Sequence, residues 1–218
     1  MTTLFIVGTD TEVGKTVVTS AIAAYWQTHH PTESLGLIKL IQTGIGDREH
    51  YQRLFPDLEI VNPLHYDTPV APPVAAQREN LPIPLDLVEQ RLKDLQQRKK
   101  LVLAEGLGGL GSPVTWELTV AELAGNWGLE TVLVVPVKLG AIAQTVANVA
   151  LARQHNVNLK GIILSCSQPI SEQEIVDFTP ISLLESLTKI PILGMIPYLE
   201  NIEDISKLAH VASNLLWF

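Results

Sequence analysis

Lys15 and Thr16 close a segment, Gly8-Thr9-Asp10-Thr11-Glu12-Val13-Gly14-Lys15-Thr16, whose residue types suit the binding of a nucleotide's phosphates. The Lys15 ammonium can reach β- and γ-phosphate oxygens, and the Thr16 hydroxyl can ligate Mg²⁺ beside them. Gly14 lets the backbone pass close to phosphate, and N–H groups at a helix start point at it. Five residues, not the usual four, separate Gly8 from Gly14. The bland alternative is a glycine turn that ends in Lys-Thr by chance. The flanks favour the phosphate loop: apolar Leu4-Phe5-Ile6-Val7 feeds it and helix-compatible Val17-Val18-Thr19-Ser20-Ala21-Ile22 leaves it, the strand, loop and helix order the motif needs.

Two further segments offer charge for the same chemistry. Leu101-Val102-Leu103-Ala104 is an apolar run ending in Glu105, followed by Gly106-Leu107-Gly108-Gly109. An acidic group at such a strand end commonly helps to hold Mg²⁺ near phosphates, and glycines after it permit close backbone approach to a ligand. Otherwise Glu105 merely marks the solvent end of its strand. Lys39, in Ile38-Lys39-Leu40-Ile41-Gln42-Thr43-Gly44, ends another strand and belongs on the same sheet edge as Lys15. A second ammonium there can neutralise charge on a transferring phosphoryl group, although a lysine snorkelling past a strand end is the commoner case. Asp47 opens the next helix, as an N-cap or as a metal ligand, with Glu49 as the rival carboxylate.

Positioning these groups falls to alternating strand and helix segments. Apolar runs predict strands near 4–8, 36–41, 101–105, 131–137, 159–165 and 191–196. Helices are expected at 15–29, 47–54, 84–98, 117–127, 141–155, 171–187 and 202–216. Strands apolar on both faces imply helices on both sides of a parallel sheet. The fold class is therefore α/β, a single doubly wound, mostly parallel sheet. Ligands sit beyond the carboxyl ends of the strands in such sheets. Seven prolines between 56 and 84 break the pattern and predict a rigid loop leading into a short helix, an ordered excursion within one domain spanning 1–218. A linker between two domains is the alternative.

The 218 residues are 46% hydrophobic and 17% charged, as in a globular chain able to bury a sizeable core. A net charge of −8 argues against a general nucleic-acid binder. Cys166 is the single cysteine, so no internal disulfide can form, and a cytoplasmic location is expected. The first strand starts so close to Met1 that no secretory leader is expected. Residues 131–152 are long and largely apolar, but Pro136, Lys138, Gly140, Gln144 and Asn148 interrupt them, favouring a buried strand and helix over a membrane span. The histidines are scattered without metal-ligand spacing.

Taken together, these motifs resemble those of the dethiobiotin synthetase family. The loop at 8–16 shares that family's extra residue. Lys39-Leu40-Ile41-Gln42-Thr43-Gly44 is similar to its Lys-Pro-Val-Gln-Thr-Gly, with Leu40 in place of proline. Glu105-Gly106-Leu107-Gly108-Gly109 resembles its Glu-Gly-Ala-Gly-Gly, and Val134 to Gly140 and Gly194 to Leu199 match later landmarks. The resemblance implies ATP- and Mg²⁺-dependent carboxylation of 7,8-diaminononanoate with CO2, then ureido ring closure, in a homodimer with the substrate near the subunit interface. Carried over by motif, Lys15, Lys39 and Thr11 serve catalysis. Glu12, Val13, Gly14, Lys15, Thr16, Val17, Glu105, Gly106, Leu107, Gly108, Ser165, Cys166, Pro197, Tyr198 and Leu199 bind the nucleotide. Thr43 contacts the diamine or its carbamate, and Thr16, Asp47 and Glu105 hold Mg²⁺. Ser165-Cys166 stands where the family often shows Asn-Asp.

Rival readings share the phosphate loop. A small-molecule kinase would need an arginine-rich lid, but the arginines are dispersed. A partitioning or regulatory ATPase switch would carry an additional lysine early in the loop, where 8–13 contain none.

Overall fold

Alternation along the strands decides which side each residue faces. In β1 (Thr2–Gly8), Leu4 and Ile6 pack into one apolar core while Phe5 and Val7 pack into another. The same split runs through Leu101 and Leu103 against Val102 and Ala104 in β6 (Leu101–Gly109), and through β7 (Glu130–Pro136). A sheet with both faces apolar must be covered on both. In the computed structural model, which describes residues 2–216, helices cover both.

The remaining elements are α1 (Lys15–His29), β2 (Leu35–Lys39), β3 (Ile41–Thr43), α2 (Asp47–Leu54), β4 (Glu59–Val61), β5 (Leu64–Tyr66), α3 (Pro72–Glu79) and α4 (Leu85–Arg98). After β6 come α5 (Val120–Asn126), then β7, α6 (Ala141–Gln154), β8 (Asn158–Ser165), α7 (Glu172–Phe178), α8 (Ile181–Thr188), β9 (Ile192–Ile196) and α9 (Ile205–Ala212). Seven strands form one sheet in the order β4-β2-β6-β1-β7-β8-β9, every ladder parallel. Residues of α1, α2 and α9 join one core, and residues of α3, α4, α5, α6 and α8 join the other. The doubly wound α/β expectation is thus borne out. β1 lies between β6 and β7, so the loop after it opens where the strand order reverses, the usual ligand crevice of such sheets.

Five expectations need correction. The strand placed at 36–41 is two strands: after Lys39 the chain leaves the main sheet, and Leu40 N–H donates to the Glu105 carbonyl at 3.2 Å before β3 pairs with β5 in a separate parallel ladder. The proline-rich stretch is more regular than a loop and short helix. β4 adds an edge strand between Pro56 and Pro63, where prolines do not interrupt the ladder. Pro72 and Pro73 open α3, where a missing N–H costs nothing. The helix placed at 171–187 breaks into α7 and α8 at Thr179-Pro180, because a residue before proline is pushed out of the helical region. The last expected helix, 202–216, shortens to α9, and the one at 117–127 starts at Val120, where Thr119 caps it by accepting from Glu122 N–H. Residues 131–152 form β7 and α6, and among the described residues no helix is long and apolar enough to cross a membrane.

Candidate active site

The loop after β1 is shaped by Gly14, whose φ of 94° is left-handed; a Cβ there would lie 2.2 Å from Ser165 Oγ. Only glycine suits that position without strain. Gly14 leads directly into α1, whose free N–H groups open toward the sheet edge. Lys15, the first residue of α1, turns its ammonium back over the loop and donates to the Asp10 carbonyl at 3.0 Å. Burial presses this ammonium down to about 8; Glu105, Asp47 and Asp10 oppose the shift, and Lys39 adds to it. A phosphate placed there would restore its charge.

Beside the loop lies a compact charge cluster. Lys39 Nζ, at the end of β2, donates to Glu105 Oε1 at 2.6 Å and to the Gly106 carbonyl at 2.9 Å, and pairs with Asp47 Oδ2 at 2.5 Å. Register explains the first contact, since Lys39 and Glu105 are direct partners across the β2–β6 ladder. Burial alone would lower the Lys39 ammonium, yet Glu105 and Asp47 hold it above the ordinary lysine range. Asp47 is held low for the complementary reason: Lys39, then Thr16 and Lys15, outweigh its burial. Thr16 Oγ1 lies 2.9 Å from Asp47 Oδ1 and 3.3 Å from Glu105 Oε1, and its one proton serves one of them at a time. These are hard oxygen donors within one small volume, the set Mg²⁺ takes when water and substrate phosphates complete its shell. Among the described residues no three His, Cys, Asp or Glu side chains are grouped to hold a metal by themselves, so a cation here relies on the Thr16 hydroxyl and on bound phosphate.

Glu49, the rival carboxylate, is engaged elsewhere. Burial would raise it, but the Gly46 amide, Gln42 and Arg48 hold it down to about 2. It caps the start of α2 and leaves Asp47 facing the cluster.

A cavity of about 580 Å³ spreads from this cluster across the carboxyl ends of the strands. It is lined by Thr11, Glu12, Gly14, Lys15, Thr16, Val17, Lys39, Thr43, Asp47, Leu107, Gly108, Ser165, Cys166, Pro197, Tyr198 and Leu199. Those residues, drawn from distant parts of the chain, are brought together as expected. Three expected residues are not in the lining. Val13 is a core residue packed under the loop, Glu105 is fully buried behind Lys39 and Thr16, and Gly106 contributes its carbonyl to Lys39. Ile41 and Gln42, which the Lys39–Gly44 motif contained without giving them a task, and Ile45, Ser167 and Ile202, outside every motif, also line the cavity. Thr19 and Tyr51 were missed too. Both donate to Glu105 Oε2, Thr19 at 3.0 Å and Tyr51 through a short contact. Their signal was helical spacing: Thr19 lies one turn beyond Lys15, and Tyr51 one turn beyond Asp47.

A phosphate loop at the end of a central parallel strand, with a buried lysine and an Mg²⁺-suited oxygen set beside it, defines a P-loop NTPase-like protein. Solved structures agree on the fold. The ParA family ATPase from Chlorobium tepidum superimposes with a TM-score of 0.61 at 12% identity, covering 99% of this chain and 94% of that one. The MinC:MinD cell division complex of Aquifex aeolicus gives 0.59 at 14% identity, covering 96% of this chain and 86% of that one. Residues 2–206 match the AAA domain family. Proteins named ATP-dependent dethiobiotin synthetase BioD are much nearer in sequence. The one from Crocosphaera subtropica is 80% identical over 99% of this chain and 97% of its own length. Those of Gloeothece citriformis and Synechocystis sp. are 61% and 52% identical, each over more than nine-tenths of both chains. The chain belongs to the dethiobiotin synthetase family and is an enzyme.

Proposed function

We propose that this enzyme forms dethiobiotin from 7,8-diaminononanoate, CO2 and Mg²⁺-ATP. The observation that carries the reading is the juxtaposition of Lys15, Thr16, Lys39, Asp47 and Glu105 at one sheet edge, in a chain so close to named synthetases. One amine of the substrate takes up CO2 as a carbamate and loses a proton. A carbamate oxygen then attacks the γ-phosphorus and ADP departs, leaving a carbamic-phosphoric anhydride. The second amine attacks the carbonyl carbon, phosphate leaves, and the ureido ring closes. This sequence needs alignment and charge neutralisation more than a protein nucleophile.

Each residue's task follows from its place. Lys15 and the N–H groups at the start of α1 bind the phosphates. Lys39, between the phosphate loop and Thr43, stabilises charge on the carbamate and on the transferring phosphoryl group. Thr16, Asp47 and Glu105 hold Mg²⁺, which when bound neutralises phosphate charge. Thr11 and Glu12 border the reacting groups, and Thr43 contacts the diamine or carbamate. The base lies toward Ser165, Cys166, Pro197, Tyr198 and Leu199. We further propose one catalytic domain over 1–218, acting in the cytoplasm as a homodimer.

The deciding assay measures dethiobiotin from diamine, bicarbonate, Mg²⁺ and ATP. Product should appear only when all four are present. ATP hydrolysis that proceeds without diamine and bicarbonate, with no ureido product, would indicate a switch ATPase.

A further inference from the structure

Glu105 is fully buried and its two carboxylate oxygens have different company. Oε1 faces the site, accepting from Lys39 Nζ at 2.6 Å and meeting Thr16 Oγ1 at 3.3 Å. Oε2 faces inward, accepting from Tyr51 Oη and from Thr19 Oγ1 at 3.0 Å. Thr19 is a divided donor, because its Oγ1 also lies 2.9 Å from the Lys15 carbonyl oxygen and carries only one proton. Tyr51 Oη keeps Glu105 Oε2 as its carboxylate acceptor and also meets the Thr19 hydroxyl, and its ring is fully buried. Tyr51 also sits one helical turn after Asp47 on α2, so both project from the same helix face. The neighbouring His50 ties α2 to α1 through Ser20 Oγ at 3.2 Å.

We propose that Tyr51 is the positioning residue of the metal site. Its hydroxyl fixes the rotation of the Glu105 carboxylate so that Oε1 alone is presented, and it joins the helix carrying Asp47 to the strand carrying Glu105. The two metal carboxylates, far apart in sequence, are thereby held in one register. The inference rests on the assignment of Mg²⁺ to Thr16, Asp47 and Glu105 made above. Partners behind a ligating carboxylate tune metal affinity because they set its orientation before the metal arrives.

Tyr51→Phe removes one oxygen and keeps the ring, which separates the hydroxyl's task from packing. The measurement is calorimetric affinity for a non-hydrolysable ATP analogue, with and without Mn²⁺, alongside a thermal melt. The variant should bind the metal-free analogue as the parent protein does, while the gain in affinity conferred by Mn²⁺ falls by about tenfold. A folded Tyr51→Phe protein that keeps the full Mn²⁺ gain overturns the proposal. If the melt shows Tyr51→Phe unfolded, Thr19→Val decides: with Tyr51 in place the gain should stay within about threefold of the parent value. A loss there as large as tenfold assigns the positioning to Thr19 and overturns it too. Neither measurement needs diamine or turnover, so a failed dethiobiotin assay on the parent protein leaves this test intact, and a retained Mn²⁺ gain leaves the synthetase reading standing.

Discussion

Lys15 and Lys39 bring the same charge to one cavity but are held by different partners. Lys39 lies between two carboxylates and is almost wholly buried, whereas Lys15 donates only to a backbone carbonyl. Removing Lys39 leaves Glu105 buried with its counter-ion gone, and breaking a buried pair from one side costs about 3–5 kcal/mol. Lys39→Ala should therefore lose stability as well as turnover, and Mg²⁺ with nucleotide should restore part of the stability by supplying positive charge at the same carboxylates. Lys15→Ala removes an ammonium already disfavoured by burial, so the fold should lose little. Its cost should fall on nucleotide affinity, about 1.5–3 kcal/mol for a charged hydrogen bond to phosphate. Thermal melts with and without Mg²⁺-ATP, paired with kcat and KM, separate the two. Equal melting temperatures for Lys39→Ala and the parent protein would sink the counter-ion account.

Among the elements, α4 shows how little of the frame depends on the site. Val88, Leu92 and Leu95 are buried at helical spacing on one face and join the same core as Val102 and Ala104 of β6. Leu92→Ala should cost about 2–5 kcal/mol through lost burial and a cavity, lowering the melting temperature by roughly 2–4 °C per kcal/mol in a chain of this size. Nucleotide affinity at 25 °C should hardly change, because α4 contributes no residue to the cavity; an affinity loss as large as that of Lys15→Ala would show that α4 carries more than packing. Continuous apolar or helix-compatible runs made α1, α4, α6 and the long strands legible in the sequence. Such runs are silent about β3, β4 and β5, which have three residues each, too few for a run to register. Those strands exist because neighbouring strands offer an edge, which is a tertiary fact. The site divides similarly. Lys15, Thr16 and Glu105 were legible because a strand end followed by glycines is local, and Asp47 because a helix start is local. Tyr51 and Thr19 were not, since a polar residue in mid-helix looks solvated until the helix is docked against Glu105.

At the scale of the whole molecule, the cavity runs along one sheet edge, and under the proposed function its two ends would read a nucleotide by different means. Near β1, β2 and β6 the lining offers charges and loop amides, which would treat every nucleoside triphosphate alike. Near β8 and β9 the lining is Ser165, Cys166, Ser167, Pro197, Tyr198 and Leu199, with no side-chain amide among them. A carboxamide can donate and accept at once and so can match adenine's amino group and ring nitrogen together. Ser165 cannot replace it, because its hydroxyl lies against the backbone of Gly14 at the phosphate loop. Cys166 is kept a neutral thiol by burial and is a weak donor, while its backbone N–H is already given to the Ile196 carbonyl at 3.0 Å. Pro197, Tyr198 and Leu199 would offer apolar contact to any base ring of suitable size. The expected outcome is a relaxed base preference, with CTP or GTP supporting dethiobiotin synthesis within about tenfold of ATP, a gap of about 1.4 kcal/mol. Steady-state kcat/KM for the three nucleotides is the check, and an ATP preference above about a hundredfold, roughly 2.7 kcal/mol, would show that backbone groups around Pro197 read the base after all.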